Sequence, residues 1–171
     1  MQATLVINGD AGIRRHADAT GVFGNRLAFD EAVSREVSRT RRSGAALSLL
    51  ALEVDDLQSA DETLLGAVSE TIASQVREPD LCFQWGGGEF FLLLPETSRR
   101  GAMELARRLR GVCAAEHRLP DGQPLRLTAG LAQLGPDQDG AGLLQAADTD
   151  LLHAKQADAG PAPGVKPPLI D

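Results

Sequence analysis

The chain has 171 residues, and its 24 acidic residues outnumber its 17 basic residues, which gives a formal net charge of −7. Binding to nucleic acid or to an anionic membrane requires a basic surface, so this charge argues against both kinds of partner. Hydrophobic residues make up 43% and charged residues 24%, as in a globular protein and unlike a disordered chain. The length predicts one domain with a core large enough to fold without disulfides or metal.

The sequence shows no pattern of a membrane span or a signal peptide. Its longest apolar runs, such as residues 47–52, are too short to cross a bilayer, and the start lacks a basic stretch followed by an apolar one. Cys82 and Cys113 are too few for a disulfide framework, and we interpret them as buried thiols in a reducing compartment. These features predict a cytoplasmic protein.

Helical and strand-like patterns alternate along the chain. The apolar residues Phe29, Val33 and Val37 recur at helical spacing, and Gly44 is suited to end that helix. Later glycines, together with the turn residues near 120–122, separate further segments. The predicted elements are a short strand at 4–7, a helix at 25–43, a strand at 46–54, a helix at 64–76, strands at 81–85 and 89–94, a helix at 98–117, a strand at 125–134 and a helix at 140–157.

The order of these elements predicts an α/β (α+β) domain with a ferredoxin-like βαββαβ core. Such a core is a mostly antiparallel central sheet with helices packed on it. The strand at 46–54 is apolar almost throughout, which predicts a central strand with both faces buried.

Two groups of arginines lie on the predicted helices, and we interpret most of them as structural. They are Arg39, Arg41 and Arg42 in the first helix and Arg99, Arg100, Arg107, Arg108 and Arg110 in a later one. The first group complements the helix dipole, and we expect the second to form a solvated face paired with Glu96 and Glu104.

The predicted hairpin carries the residues Gly86, Gly87, Gly88, Glu89 and Phe90. This sequence, GGGEF, resembles in degenerate form the signature of the GGDEF family, the diguanylate cyclases. Other segments resemble family motifs in the same order along the chain, namely 25–29, 49–55, 94–95, 106–110 and 154–155. The resemblance implies a fold of the nucleotidyl-cyclase type. It divides the chain into an N-terminal extension at 1–11, a GGDEF-like domain at 12–158 and a Pro- and Gly-rich tail at 159–171.

Members of this family join two GTP molecules into cyclic di-GMP with the help of divalent metals, each domain of a homodimer holding one GTP. The resemblance implies that Asp55 is a metal ligand, that Glu89 is a catalytic carboxylate and that Lys155 binds phosphate. The third signature position, an acid in the family, is Gly88, and the family's terminal arginine is replaced by Ala159. Losing a carboxylate from a two-metal site removes several kcal/mol of transition-state stabilisation, so we expect these three residues to be remnants of a catalytic site.

The loop that reads guanine in the family is also reduced. Here the segment after Asp55 is about nine residues shorter than the family pattern, which surface connections tolerate. Asp61 either stands in for a guanine-reading acid or is the N-cap of the following helix.

A second motif, Arg77-Glu-Pro-Asp80, resembles the inhibitory cyclic di-GMP site of the family. Five residues separate Asp80 from Gly86, and Arg108 falls where a further ligand-binding arginine occurs. An arginine fork binds a phosphate or the Hoogsteen edge of guanine, and a carboxylate accepts guanine N–H groups. The alternative is that Arg77 and Asp80 form a structural ion pair.

These features favour a degenerate, catalytically inactive GGDEF domain that binds cyclic di-GMP as a receptor or signalling adaptor and requires no cofactor. One alternative is a diguanylate cyclase with residual activity, which would bind GTP with Mg²⁺. Another is a protein-interaction domain that binds no nucleotide. Further expected partners are a second copy in a homodimer or another protein of cyclic di-GMP signalling.

Overall fold

The computed structural model describes residues 26–57, 62–86 and 88–158, which form one four-stranded antiparallel sheet and four helices. The predicted strand at 4–7, the residue Asp61, the N-terminal extension and the C-terminal tail lie outside these ranges. The elements are α1 (Arg26–Ser43), β1 (Leu47–Val54), α2 (Glu62–Gln75), β2 (Leu81–Gly86), β3 (Glu89–Pro95), α3 (Arg99–Glu116), β4 (Leu127–Gln133) and α4 (Gly140–Asp158). This order confirms the predicted α+β class and its βαββαβ core.

The strand β1 lies inside the sheet, as its apolar sequence predicts. The sheet order is β2-β3-β1-β4, and β1 pairs antiparallel with β3 on one side and with β4 on the other. All of its side chains are buried except that of Glu53, which is half-buried. Because both faces of β1 are buried, its side chains contribute to two separate hydrophobic cores.

Helices cover both faces of the sheet. On one face Leu50 of β1 packs in a core with Val68 of α2 and Leu109 of α3. On the other face Leu49 packs in a second core with residues of α1 and α4, including Phe29. Alternation of side chains along the strands therefore decides which functional residues lie near α1 and α4.

Local signals place the end of α1 and the start of α3 where the sequence predicts them. Gly44 adopts a left-handed φ of 71°, and its N–H donates to the carbonyl of Thr40 over 2.8 Å to end α1. The hydroxyl of Ser98 accepts a hydrogen bond from the N–H of Gly101 over 3.3 Å and begins α3. The strand β4 is shorter at both ends than the predicted strand at 125–134.

The arginines of α3 are only partly paired as predicted. Arg100 pairs with Glu104 over 3.3 Å. Glu96, however, pairs with Arg39 of α1 over 3.5 Å instead of with the α3 arginines, so that part of the prediction is wrong. Arg99 and Arg110 donate to backbone carbonyls of β4 over 3.1 and 2.9 Å, so these two side chains hold the helix to the sheet.

Both cysteines are buried free thiols, as the sequence predicts. Burial raises the pKa of Cys113 to about 11, which keeps this thiol protonated and unreactive at neutral pH. Within the ranges given above, none of the helices has the length and apolar character needed to span a membrane.

Candidate functional site

An acidic cluster lies at the end of the sheet where β1 ends and β3 begins. Glu53 of β1 lies directly opposite Glu89 of β3 in the antiparallel register, so both side chains are on the face covered by α1 and α4. Lys155 of α4 donates a hydrogen bond to Glu53 over 2.6 Å. Asp55 follows two residues after Glu53 and also acts electrostatically on Lys155. The structure therefore brings together Asp55, Glu89 and Lys155, which the sequence singled out, with Glu53, which it did not.

Asp55 is held against the neighbouring strand. Its two carboxylate oxygens accept the hydroxyl of Thr128 over 2.8 and 2.9 Å, and its backbone N–H donates to the carbonyl of Arg126 over 2.9 Å. Burial raises the pKa of Asp55, although the hydrogen bond from Thr128 opposes that rise. The carboxylate is thus oriented by a buried side chain of β4.

The cluster has more negative than positive charge. Burial raises the pKa of Glu89, and the nearby carboxylates of Glu53 and Asp148 raise it further, while Lys155 acts in the opposite direction. The pKa of Lys155 is raised chiefly by its hydrogen bond to Glu53. The ammonium group of Lys155 offsets part of the charge of Glu53 and Glu89.

Sequence reasoning missed Glu53, although a signal for it exists. In a strand, residues two apart lie on the same face, so Glu53 shares a face with Asp55 if the strand continues that far. Its position opposite Glu89 depends on the register between β1 and β3, which are 36 residues apart at this pair. That register comes from the packing of the whole sheet.

Gly88, the third signature residue, occupies a tightly packed turn. It has a left-handed φ of 86°, and its carbonyl accepts a hydrogen bond from the N–H of Val54 over 3.0 Å. A Cβ atom at this position would lie 3.2 Å from the Cβ of Val54 and 3.3 Å from Cδ2 of Leu57. The local backbone and its neighbours therefore suit glycine.

In the part of the chain that the structure describes, no group of three or more His, Cys, Asp or Glu side chains is arranged to hold a metal ion. Asp55 is bound to Thr128, and Glu53 is bound to Lys155. The role of Asp55 as a metal ligand stays a prediction.

Arg77 and Asp80 form a close ion pair at the turn between α2 and β2. The backbone N–H of Arg77 donates to Oδ2 of Asp80 over 2.8 Å, and its Nη2 donates to Oδ1 over 3.0 Å. Asp80 is only 2% exposed, whereas the side chain of Arg77 is 55% exposed. The ion pair that the sequence left as one alternative is present, and the guanidinium remains accessible.

A second set of contacts ties Arg77 to the turn between β3 and α3. Its Nη2 lies 2.7 Å from Oγ1 of Thr97 and 3.1 Å from the carbonyl oxygen of Pro95. Arg77 therefore bridges two turns at the same end of the sheet.

Arg108 of α3 lies beside this site. Its Nη2 donates to the carbonyl of Gln75 over 3.0 Å at the end of α2, two residues before Arg77. Both guanidinium groups are anchored by protein acceptors and both residues are exposed. The structure thus places both predicted ligand-binding arginines near the end of α2.

Comparison with known proteins agrees with this arrangement. The family model of the diguanylate cyclase GGDEF domain matches residues 15–160. The chain is 32% identical over 143 residues to the diguanylate cyclase DgcP of Pseudomonas aeruginosa. The matched segment covers 78% of this chain and 21% of DgcP. This chain therefore spans about one fifth of the length of DgcP.

Solved GGDEF domains have the same fold. The GGDEF domain of TpbB from Pseudomonas aeruginosa is 29% identical, with a TM-score of 0.73, over 83% of this chain and 90% of that chain. The GGDEF domain of DgcB from Caulobacter crescentus, solved in complex with cyclic di-GMP, is 19% identical with a TM-score of 0.75, over 84% and 89% of the two chains. These findings confirm the resemblance seen in the sequence, and the chain belongs to the GGDEF domain family of diguanylate cyclases.

Proposed function

We propose that this GGDEF domain binds cyclic di-GMP at Arg77 and Arg108 and acts as a receptor or signalling adaptor that no longer makes the dinucleotide. The observation that carries the proposal is the pair of exposed, anchored guanidinium groups at the end of α2. Guanidinium groups bind phosphate and the acceptor edge of guanine through paired N–H donors. Two of them on one surface can bind a dinucleotide on a protein with a net charge of −7.

The solved DgcB domain, which shares this fold, contains cyclic di-GMP, and this makes cyclic di-GMP the ligand to test. The proposed loss of activity is supported by the other end of the domain. Gly88 has no side chain to bind metal or accept a proton. This departure from the family pattern weakens the stabilisation of a phosphoryl-transfer transition state, which depends on positioned charges.

Calorimetric titration with cyclic di-GMP tests the proposal. The wild type should bind, and Arg77→Ala and Arg108→Ala should each weaken binding by about tenfold or more, since each removes a charged donor. Arg107→Ala is the matched control, because Arg107 is an exposed arginine of the same helix. A wild type that releases no heat and shows no thermal shift with cyclic di-GMP would overturn the proposal.

A second candidate function is residual diguanylate cyclase activity. It is favoured by the convergence of Glu53, Asp55, Glu89 and Lys155 at one end of the sheet. Incubation with GTP and Mg²⁺ or Mn²⁺, followed by chromatography, decides between the two. Cyclic di-GMP formed by the wild type and by the exposed control Asp137→Ala, but not by Asp55→Ala, would establish this activity.

The third function, a protein-interaction domain, makes a different prediction. A ligand that binds only the native state raises the melting temperature. If neither GTP nor cyclic di-GMP raises it, both nucleotide functions fail and interaction with a protein partner or a second copy is favoured.

A further inference from the structure

We propose that Arg99 and Asp150 act together as a cap on the outer edge of β4, which prevents a second copy of this chain from adding its own β4 to the sheet. An edge strand carries backbone groups that another strand can pair with, so a protein needs a means of protecting them. This inference goes beyond the proposed function and does not depend on nucleotide binding. It concerns the edge of the sheet opposite to β2.

The strand β4 forms one edge of the sheet. It is the last strand in the order β2-β3-β1-β4, and among the described residues no strand lies on its other side. Next to β1, the N–H of Asp55 donates to the carbonyl of Arg126 over 2.9 Å. The N–H of Leu134 likewise donates to the carbonyl of Leu47 over 2.8 Å. Because hydrogen-bonded and non-bonded pairs alternate along antiparallel strands, the odd-numbered residues of β4, including Leu131, direct their N–H and carbonyl groups to the open edge.

Both outward backbone groups of Leu131 are already bound by side chains. Its N–H donates to Oδ2 of Asp150 over 2.8 Å, and its carbonyl accepts a hydrogen bond from Nη1 of Arg99 over 3.1 Å. In a hydrogen-bonded antiparallel pair, each residue exchanges these same two bonds with the residue opposite. Asp150 and Arg99 thus occupy the acceptor and donor positions that an added strand would fill.

The two capping side chains come from helices on opposite faces of the sheet. Arg99 is the first residue of α3 and Asp150 lies in α4, and Nη2 of Arg99 is 3.9 Å from Oδ1 of Asp150. Their side chains are 56% and 41% exposed, so their mutual attraction is weak. The cap is held chiefly by its bonds to β4, since the backbone N–H of Arg99 also donates to Oε1 of Gln133 over 2.7 Å.

A third side chain protects the beginning of β4. Nε of Arg110, in α3, donates to the outward carbonyl of Leu127 over 2.9 Å. Leu127 is the first residue of the strand, and Leu131 lies two residues before its end. An added strand would therefore have to displace helix side chains at two separate positions along the edge.

The sequence of β4 itself carries none of the usual protection. Residues 127–133 include no charged residue and no proline. Uncharged segments of about six residues without proline are prone to pair edge to edge, and natural edge strands avoid this through charges, proline or a covering element. In this domain the neighbouring helices provide the charged groups that the strand lacks.

The partner that the cap excludes is a second copy of the chain. Every copy presents the same β4 edge, and two antiparallel copies of one strand can pair about a twofold axis, so that each binds the outward groups of the other. Opening the edge should therefore add an association through β4 that the wild type lacks.

Hydrogen exchange of the Leu131 amide, measured in dilute solution, tests the cap. The double variant Arg99→Ala, Asp150→Ala should exchange about tenfold faster or more, because the N–H loses its acceptor. Asp150→Asn keeps an acceptor and should retain slow exchange. The double variant Arg107→Ala, Asp158→Ala is the matched control and should also exchange slowly, since it removes the same charges from exposed positions of the same two helices. An acceleration at Leu131 no larger than that at the amides of β1 would overturn the cap.

Sedimentation velocity over a range of concentrations tests the consequence for assembly. The double variant Arg99→Ala, Asp150→Ala should form larger species than the wild type at the same concentration, and the control variant should sediment like the wild type. Adding Gln133→Lys should reverse this change, because Gln133 is an exposed residue of β4 and a lysine on an edge strand disfavours pairing. Identical sedimentation of the wild type and the double variant would overturn the exclusion of a second copy. Larger species that persist after Gln133→Lys would overturn it as well.

Discussion

Glu53 and Glu89 face each other across the β1–β3 pair, on the same side of the sheet, and the ammonium of Lys155 is bound to Glu53 over 2.6 Å. Two carboxylates in this register repel each other, and the charge of Glu53 favours the protonated form of Glu89. Lys155 reduces this repulsion. Together with burial, the charges of Glu53 and Lys155 set the direction in which the pKa of Glu89 is shifted.

The first prediction concerns the pKa of Glu89, measured by carbon-13 NMR of its carboxyl group. We expect it to lie above the ordinary value of 4.5, because burial and the charge of Glu53 both raise it. Glu53→Gln should lower this pKa, and Lys155→Met should raise it further. A pKa of Glu89 that is the same in all three proteins would contradict the charge balance described here.

The second prediction concerns the free energy of unfolding as a function of pH. The folded pKa of Glu89 is raised, so its contribution to stability is fully present below 4.5 and is lost as the pH rises through the folded pKa. Glu89→Gln removes this loss, so urea unfolding should show the variant gaining on the wild type between pH 4 and pH 7. We expect a gain of less than about 1 kcal/mol, because Glu89 is exposed and solvent screens its charge.

Glu70→Gln is the control for this pH dependence, because Glu70 is an exposed glutamate of α2, on the opposite face of the sheet. It should follow the wild type at both pH values. A Glu89→Gln variant that loses stability relative to the wild type as the pH rises would contradict the sign derived above.

The third prediction concerns restoring the family's acid at the third signature position. Gly88→Asp should destabilise the domain by about 2–3 kcal/mol, because a side chain at a left-handed φ costs about 1–2 kcal/mol and the new Cβ also crowds Val54 and Leu57. Gly122→Asp separates the two causes, since Gly122 has a similar φ of 84° and no heavy atom within 4 Å of its added Cβ. Equal losses of stability in urea unfolding for the two variants would show that crowding at residue 88 contributes nothing.

The fourth prediction concerns the packing of α4 on the sheet at Gly130. An added Cβ there would overlap the backbone of Ala147 and Leu151, and a backbone cannot move aside as a side chain can. Gly130→Ala should therefore destabilise the domain by about 3 kcal/mol or more.

Gly111→Ala is the matched control for that substitution. Gly111 is an exposed glycine of α3 with no heavy atom within 4 Å of an added Cβ, so alanine should stabilise the helix by about 0.5–1 kcal/mol. Melting temperatures that change equally in both variants would contradict the close approach of α4 to β4.

Local patterns predicted most of the fold. The helix of Phe29, Val33 and Val37, its end at Gly44 and the cap at Ser98 each depend on residues within a few positions of one another. The predicted pairing of Glu96 with the α3 arginines was wrong because the partner of Glu96 is far away along the chain. Glu96 has a left-handed φ of 53°, and its partner Arg39 is 57 residues away, on a helix that the packing of the sheet brings near.

By itself, the sequence determined the family, the order of the elements and the presence of Gly88 where the family has an acid. Each of these depends on residue types and on short spacings along the chain. It also predicted a ligand-binding site at Arg77, Asp80 and Arg108. Only the tertiary structure decided that Glu53 faces Glu89 and that Arg77 is held by the β3–α3 turn as well as by Asp80. Both relationships join segments that are distant in the chain, and strand register and core packing, which depend on the whole domain, bring them together.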